Sequence, residues 1–341
     1  MPVSASRLAS FDFRQVHPQL FIGTMSDRYA GWLGQIYSED KYEGRISTRT
    51  KTLKGNIFTE EVLPADSVRE YFEHFPVLEI DFTFYRPLRD KEGNATQNYH
   101  VLRKYREQLK PGDRIFLKVP QMLCAPKLRR KEGFVQNPSY LNPEIFLRGF
   151  YEPAHRILDD HLCGLIFEQA YQRKDEKSTS EMLARDLDVF FRKIPRDRRY
   201  HMEIRTERLL AEPVFAVLKK HGVGLVLSQW TWLPSLRTQF QKSGIMLSGD
   251  DSLAIRLVTP RGKTYDETYA AAHPFDVMVE GMLHPSVVEE TVEIIRGVVQ
   301  RGSRLYLFIN NRAGGNAPKI AQNIAQRLTN DSHSNSSGIH S

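Results

Sequence analysis

Ionisable side chains interrupt several apolar runs of this sequence toward the carboxyl end of each run. In the run VLEIDFTFYR, the polar residues Glu79, Asp81 and Thr83 are two apart, so that in a β-strand they share one face. Glu203 and Arg205 are spaced in the same way in a later run. Carboxylates brought together at a strand end are suited to general acid and base catalysis. We therefore predict that Glu79, Asp81 and Glu203 are catalytic residues.

Cationic and amide side chains end other runs. Lys118 ends the third run and Arg256 lies near the end of the seventh. Because such cations can hold a carboxylate, a phosphate or a developing oxyanion, we predict Lys118 as a fourth catalytic residue. Glu168 and Gln169 end the fourth run and, being adjacent, are not expected both to face inward. The predicted substrate-binding residues are Arg205, Arg256, Gln169, Asn310, Asn311, Thr83, Tyr85, Trp230 and Tyr265.

The predicted carboxylates and cations carry formal charges that cancel, so the predicted pocket is nearly neutral. The aromatic side chains predicted in it can stack on a ring of the ligand. Two other interpretations stay open. The charges could form an ion-pair network that only ties strand ends together, or the three carboxylates could hold Mg²⁺ or Mn²⁺. The histidines lack H-E-x-x-H spacing, and Cys124 has no His near it in the sequence to activate it. No metal ligand is therefore assigned.

Short β-branched or aromatic runs alternate along the chain with longer stretches of helical periodicity. This alternation, with no G-x-G-x-x-G turn after the first run, predicts an α/β protein that is a single (β/α)₈ TIM-type barrel rather than an open doubly wound sheet. The predicted strands are 20–24, 77–84, 114–119, 163–168, 200–205, 223–229, 253–258 and 304–309. The predicted helices are 64–75, 98–109, 142–161, 178–194, 208–221, 235–243, 285–301 and 314–328.

Two connections are too long for a minimal barrel, which predicts enlarged loops after strands 1 and 7. Residues 38–63 form a basic, polar insertion, and 259–284 form a segment with Gly, Pro and His. Both follow a strand and are expected on the face where barrel enzymes hold their substrates. The predicted domains are a 1–19 N-terminal extension, a 20–328 barrel and a 329–341 disordered tail.

Composition narrows the class of protein. The 341 residues carry a formal charge of +7, which favours anionic partners. No apolar run approaches the ~20 residues of a membrane helix, so no membrane partner is expected. The 2 cysteines are too few for a disulfide framework, which favours a cytoplasmic protein. The basic insertion and the run KLRRK at 127–131 also leave a nucleic-acid partner open.

Several of these segments together resemble the YecE-like family of domains of unknown function, DUF72, over residues 20–328. The family is similar to TIM-type barrel proteins, which implies the same fold, and it has no established activity. The segments that carry the resemblance are Ile22–Thr24, Tyr29, Trp32, Gly34, Tyr37, Val77–Arg86, Lys118 with Pro120, Gln169, Glu203–Arg205, Arg256, and Phe308–Asn311 with Gly314 or Gly315.

The chain departs from the family pattern at three places that bear on function. A Thr-His pair after the third strand is replaced by Cys124 and Ala125, and a His-Gly pair after the seventh by Val258 and Thr259. The family's Asn on the second strand is Asp81 here.

Three hypotheses follow for the activity. The first is an enzyme or enzyme-derived protein, of hydrolase or isomerase type, that binds a polar anionic ligand of phosphate-ester or sugar-like character at the carboxyl ends of the strands. The second is a nucleic-acid-binding protein that uses the basic loops. The third is a regulatory or scaffold protein that has lost the family histidines and their chemistry.

Overall fold

The computed structural model describes residues 5–130, 133–173, 175–176 and 178–334. Eight parallel strands close into a barrel in the order β1-β12-β11-β10-β9-β8-β5-β4, and antiparallel hairpins β2–β3 and β6–β7 lie outside it. The strands are β1 (Leu20–Met25), β2 (Ser47–Leu53), β3 (Asn56–Val62), β4 (Val77–Ile80), β5 (Arg114–Lys118), β6 (Lys127–Arg130), β7 (Gly133–Gln136), β8 (Leu162–Glu168), β9 (Tyr200–Glu203), β10 (Gly224–Gln229), β11 (Ser252–Leu257) and β12 (Arg304–Ile309). The predicted eight-stranded α/β barrel is therefore confirmed.

Helices form in each of the ranges that periodicity predicts, and further short helices that were not predicted lie at Ala5–Ala9, Phe82–Tyr85, Gln121–Cys124 and Tyr265–Ala272. The helices are α1 (Ala5–Ala9), α2 (Val68–His74), α3 (Phe82–Tyr85), α4 (Gln97–Gln108), α5 (Gln121–Cys124), α6 (Pro143–Phe146), α7 (Glu152–Leu158), α8 (Ser180–Lys193), α9 (Glu212–His221), α10 (Leu236–Ser243), α11 (Tyr265–Ala272), α12 (Pro285–Val299) and α13 (Ala317–Ser334). A π-helical turn, Leu147–Tyr151, joins α6 to α7. The side chains of Asn142 and Thr179 accept backbone N–H groups at the starts of α6 and α8, as expected of N-caps.

Packing divides the chain into two compact units. The first contains the chain to Leu78, Gln229–Thr231 and the chain from Ile255, and the second contains Glu79–Ser228 and Trp232–Ala254. Aromatic side chains fill the core of the second unit, where the ring of Phe167 lies 5.5 Å from that of Phe146 and 5.9 Å from that of Phe190. Strands such as β10 and β11 are buried along their whole length, as expected of parallel strands covered on both faces.

The predicted strand 77–84 is wrong beyond Ile80. The chain turns at Asp81, whose carbonyl accepts the N–H of Phe84, and Phe82–Tyr85 forms the short helix α3. The hydroxyl of Thr83 donates to the carbonyl of Lys118 at 2.7 Å and ties this turn to β5. Glu79 therefore keeps its strand position, whereas Asp81 and Thr83 do not share a strand face with it.

The enlarged loops after the first and seventh barrel strands are present and carry structure of their own. Residues 38–63 contain the hairpin β2–β3, in which Leu53 pairs with Asn56. Its turn residues Lys54 and Gly55 both have positive φ, as two-residue hairpin turns require. The segment 259–284 contains α11, and the KLRR run forms β6 of a further hairpin after β5. Helix α13 continues to Ser334, and residues 335–341 of the predicted tail lie outside the described residues.

Gly164 in β8 lies opposite Phe116 of β5, and a Cβ at Gly164 would lie 1.9 Å from the buried ring. We therefore expect Gly164→Ala to lower the free energy of unfolding by about 1–3 kcal/mol, as overpacking of a core does. The matched control is Gly297→Ala in α12, where a Cβ meets nothing within 4 Å. That change should raise the free energy of unfolding by about 0.5–1 kcal/mol. Urea unfolding measures both, and equal stability of the two variants would contradict this packing.

Candidate functional site

A buried carboxylate in the second unit is shared by two cations. Oε2 of Glu168 lies 2.5 Å from Nζ of Lys118, and Oε1 lies 2.8 Å from Nη1 of Arg205. Glu168 ends β8 and Lys118 ends the neighbouring strand β5, so strand geometry alone brings this pair together. A buried charge is tolerated only when it is paired, and here the carboxylate has a cation on each oxygen.

The contacts continue to the next two strands. Nε of Arg205 donates to Oε1 of Glu203 at 3.2 Å, and the hydroxyl of Ser228 donates to the same oxygen at 2.5 Å. Glu203 is fully buried at the end of β9, and the side chain of Gln239 holds the backbone of Ser228 on both its N–H and its carbonyl. We call Lys118, Glu168, Arg205, Glu203 and Ser228 the Glu168 cluster.

The adjacent residues Glu168 and Gln169 are both buried, and both contact Arg205, Glu168 through the guanidinium and Gln169 through the backbone. That the two do not both face inward stays a prediction. Oε1 of Gln169 accepts the backbone N–H of Arg205 at 3.0 Å. The N–H of Gln169 in turn donates to the carbonyl of Glu203 at 2.9 Å.

The ammonium of Lys118 has hydrogen-bonding capacity to spare. Its side chain is 8% exposed, and Nζ lies 3.8 Å from the centroid of the Phe84 ring. Within the described residues Glu168 is the polar partner of Nζ, whereas an ammonium carries three N–H donors. Two donors on a nearly buried cation are thus available to a ligand.

Asp81 begins the turn that carries Phe84. Its side chain is partly exposed, makes no N-cap hydrogen bond to α3, and has no ion-pair partner among the described residues. An accessible carboxylate of this kind can accept a proton. Tyr85, at the end of the same turn, is exposed.

Predicted residues of the first unit form separate contacts. Oδ1 of Asn310 accepts the backbone N–H and the Nε–H of Arg312 at 3.0 and 3.1 Å, and Nη1 of Arg312 donates to the hydroxyl of Thr259 at 3.0 Å. The guanidinium lies 4.3 Å from the ring centroid of Tyr265, whose hydroxyl bonds to Nζ of Lys51 at 2.6 Å. Arg312 was not among the predicted residues, although it lies three residues beyond the end of β12.

Asn311 has a structural role in the same unit. Its Oδ1 accepts the indole N–H of Trp32 at 3.2 Å and the N–H of Ala317, at the start of α13, at 2.8 Å. Arg256 is buried, with Nη2 3.6 Å from Sδ of Met25. Trp230 is partly buried.

The His, Cys, Asp and Glu side chains of the described residues are not arranged to bind a metal ion. Among the described residues no three His, Cys, Asp or Glu side chains are grouped so that they could hold a metal ion, so Glu79, Asp81 and Glu203 do not form the Mg²⁺ or Mn²⁺ site that the sequence had left open. Burial, with the nearby charge of Glu168, raises the pKa of the Cys124 thiol to about 12, so this thiol is not a nucleophile near neutral pH.

Basic residues of the loops have carboxylate partners. Arg45 bonds to Asp66 at 2.8 Å, while Arg49 and Lys51 both contact Glu60. In the second hairpin, Lys127 bonds to Glu176 at 2.9 Å. These pairs reduce the positive charge that the insertion and the KLRR run could offer to phosphates.

The closed parallel barrel, with charged groups at the carboxyl ends of its strands, is the arrangement of TIM-type barrel proteins. The chain belongs to the DUF72 family of proteins of unknown function, whose sequence profile matches residues 21–338.

Solved structures of two DUF72 family proteins share this fold. The protein from Enterococcus faecalis is 14% identical, with a TM-score of 0.54 over 91% of this chain and 95% of that one. The protein from Thermotoga maritima is 16% identical, with a TM-score of 0.54 over 91% and 99%. No curated protein sequence matches this one. In the described part of the chain, every helix is too short or too polar to cross a membrane.

Removal of the shared carboxylate tests how much the cluster contributes to stability. Glu168→Gln leaves Lys118 and Arg205 without their common counter-charge, and we expect the free energy of unfolding to fall by about 3–5 kcal/mol. The control is Glu144→Gln, which breaks an exposed pair with Arg148 and should cost less than about 1 kcal/mol. Similar small losses for both variants in urea unfolding would show that Glu168 is not a buried counter-ion.

Proposed function

We propose that this protein binds a small polar anion, of phosphate-ester or sugar-like character, at the Glu168 cluster, and that it acts on this ligand as an enzyme. The observation that carries the proposal is the nearly buried ammonium of Lys118 with two N–H donors left after its contact with Glu168. Hydrogen bonds from such a charged donor to an anion are stronger than those between neutral groups.

The donors of the cluster, rather than its net charge, support an anion as the ligand, because the charges of its two cations and two carboxylates cancel. Glu168 gives one carboxylate oxygen to Lys118 and the other to Arg205, so its charge is already shared by both cations. Glu203 is fully buried and is engaged by Arg205 and Ser228. The groups left to meet a ligand are therefore N–H donors, which recognise phosphate and carboxylate oxygens.

Two carboxylates take different roles in this proposal. Asp81 is partly exposed and lies in the turn that contacts Lys118 through Phe84, so we assign it as the general base. Glu203, first expected to be catalytic, is assigned as a positioning residue because its carboxylate holds Arg205 and Ser228. A cation that holds an anionic group beside a base suits hydrolysis or isomerisation of a sugar-like ester.

Thermal-shift screening with inorganic phosphate, sugar phosphates and sugar acids tests the proposal. A ligand at 100 times its Kd should stabilise the wild type by about 2.7 kcal/mol, a clear rise in Tm. Lys118→Met should lose about 1.5–3 kcal/mol of that binding free energy, because hydrogen bonds to a charged group are removed. Asp81→Asn should keep the shift, since this carboxylate is assigned to proton transfer.

The matched control is Lys242→Met, which removes an exposed lysine whose Nζ lies 3.9 Å from Oε1 of Glu207. This variant should show the same thermal shift as the wild type. Failure of every anion to stabilise the wild type would reject the proposal, as would an equal shift in the Lys118→Met variant.

A further inference from the structure

Several aromatic side chains of the described residues are exposed, and each lies between two consecutive barrel strands. Tyr85 follows β4, Phe134 follows β5, Tyr171 follows β8, Trp232 follows β10 and Tyr265 follows β11. Where two such rings lie together on one unit they indicate a binding surface, because exposed apolar residues that are scattered singly are normal.

Two of these rings, both in the second unit, stack on each other. The centroids of Tyr171 and Trp232 are 6.0 Å apart and their planes are inclined by 28°. The two residues are nevertheless 40% and 51% exposed, so the pair does not complete a hydrophobic core. We call Tyr171 and Trp232 the aromatic shelf.

Hydrogen bonds hold the loop of Tyr171 against the loop that follows β9. Gln169 accepts the N–H of Arg205 at 3.0 Å, and the N–H of Gln172 donates to the hydroxyl of Thr206 at 3.0 Å. Nη1 of Arg208 also donates to the carbonyl of Gln172 at 3.0 Å. Tyr171 lies between these fixed points, so its backbone position is set by the same loop that positions Arg205.

The shelf is close to the Glu168 cluster along the chain. Tyr171 is three residues beyond Glu168, and three residues span at most about 11 Å even when fully extended. A ligand of one ring and one charged group can cover such a distance. Aromatic faces pack well against the C–H face of a sugar ring, while the hydroxyl groups at the rim of the sugar stay in water.

We propose that the ligand is a phosphorylated sugar, with its phosphate on Lys118 and Arg205 and one face of its ring on the aromatic shelf. This inference rests on the anion site proposed above and adds to it the class of ligand. The cluster alone would accept any small phosphate or carboxylate. Because the sugar ring stacks on the aromatic shelf, the ring becomes a second determinant of affinity.

Isothermal titration calorimetry with inorganic phosphate and with a panel of hexose and pentose phosphates tests the proposal on the full chain. The wild type should bind a sugar phosphate more tightly than inorganic phosphate. Trp232→Ala should weaken the binding of the sugar phosphate about tenfold or more, which is the usual cost of losing a stacking partner. The same change should leave the affinity for inorganic phosphate unchanged. Trp232→Phe should retain most of the affinity. Val189→Ala, at an exposed apolar side chain of α8, is the control for surface substitution.

The outcomes separate the two proposals. If Trp232→Ala binds sugar phosphates as the wild type does while Lys118→Met loses them, the shelf is rejected and the anion site stands. If Lys118→Met binds both compounds as the wild type does, both proposals fail. Binding of nucleoside monophosphates in place of sugar phosphates would reject the sugar assignment, and absence of any binding by the wild type would reject both proposals.

Discussion

The buried carboxylate of Glu168, shared between Lys118 and Arg205, is the interaction on which the organisation of the candidate site depends. Removing these charges from water is unfavourable unless each finds a partner, so the ends of β5, β8 and β9 have to be held in register. The arrangement satisfies the carboxylate on both oxygens and still leaves donors on Lys118. A structural ion pair and a ligand site are therefore built from the same side chains.

Residues outside the ion pairs fix this geometry. Thr83 donates to the carbonyl of Lys118, Ser228 donates to Glu203, and Gln239 holds the backbone of Ser228. Each bond joins a strand end to the segment beside it. The proposed anion site is thus preorganised, which lowers the cost of ordering charged side chains around a ligand. The aromatic shelf extends it through the loop that begins directly after Glu168.

The barrel could be predicted from sequence because its buried strands are apolar runs separated by helices with recognisable periodicity. Lys118, Glu203 and Arg205 could be predicted because they lie at or just past the ends of such runs. Glu168 was passed over in favour of Gln169, although Glu168 is the residue at the end of β8 that contacts both Lys118 and Arg205.

There are physical reasons why some features of the structure could not be predicted from the sequence. The turn at Asp81 depends on a hydrogen bond from Thr83 to a neighbouring strand, which no local pattern reveals. In the hairpin β2–β3, the strand β2 is polar except for Leu53 and β3 carries Ile57 and Phe58 next to each other, so its sequence lacks the apolar alternation of a half-buried strand. The stacking of Tyr171 on Trp232 joins residues of two different loops.

A selenate soak of crystals of the wild-type protein, read from anomalous difference density, shows whether the Glu168 cluster binds an anion, because selenate resembles phosphate and can be located without a known substrate. We expect a peak within hydrogen-bonding distance of Nζ of Lys118 and of the Arg205 guanidinium, and no such peak in Lys118→Met crystals. Selenate found only on exposed basic side chains, with the Glu168 cluster unchanged and empty, would contradict this expectation.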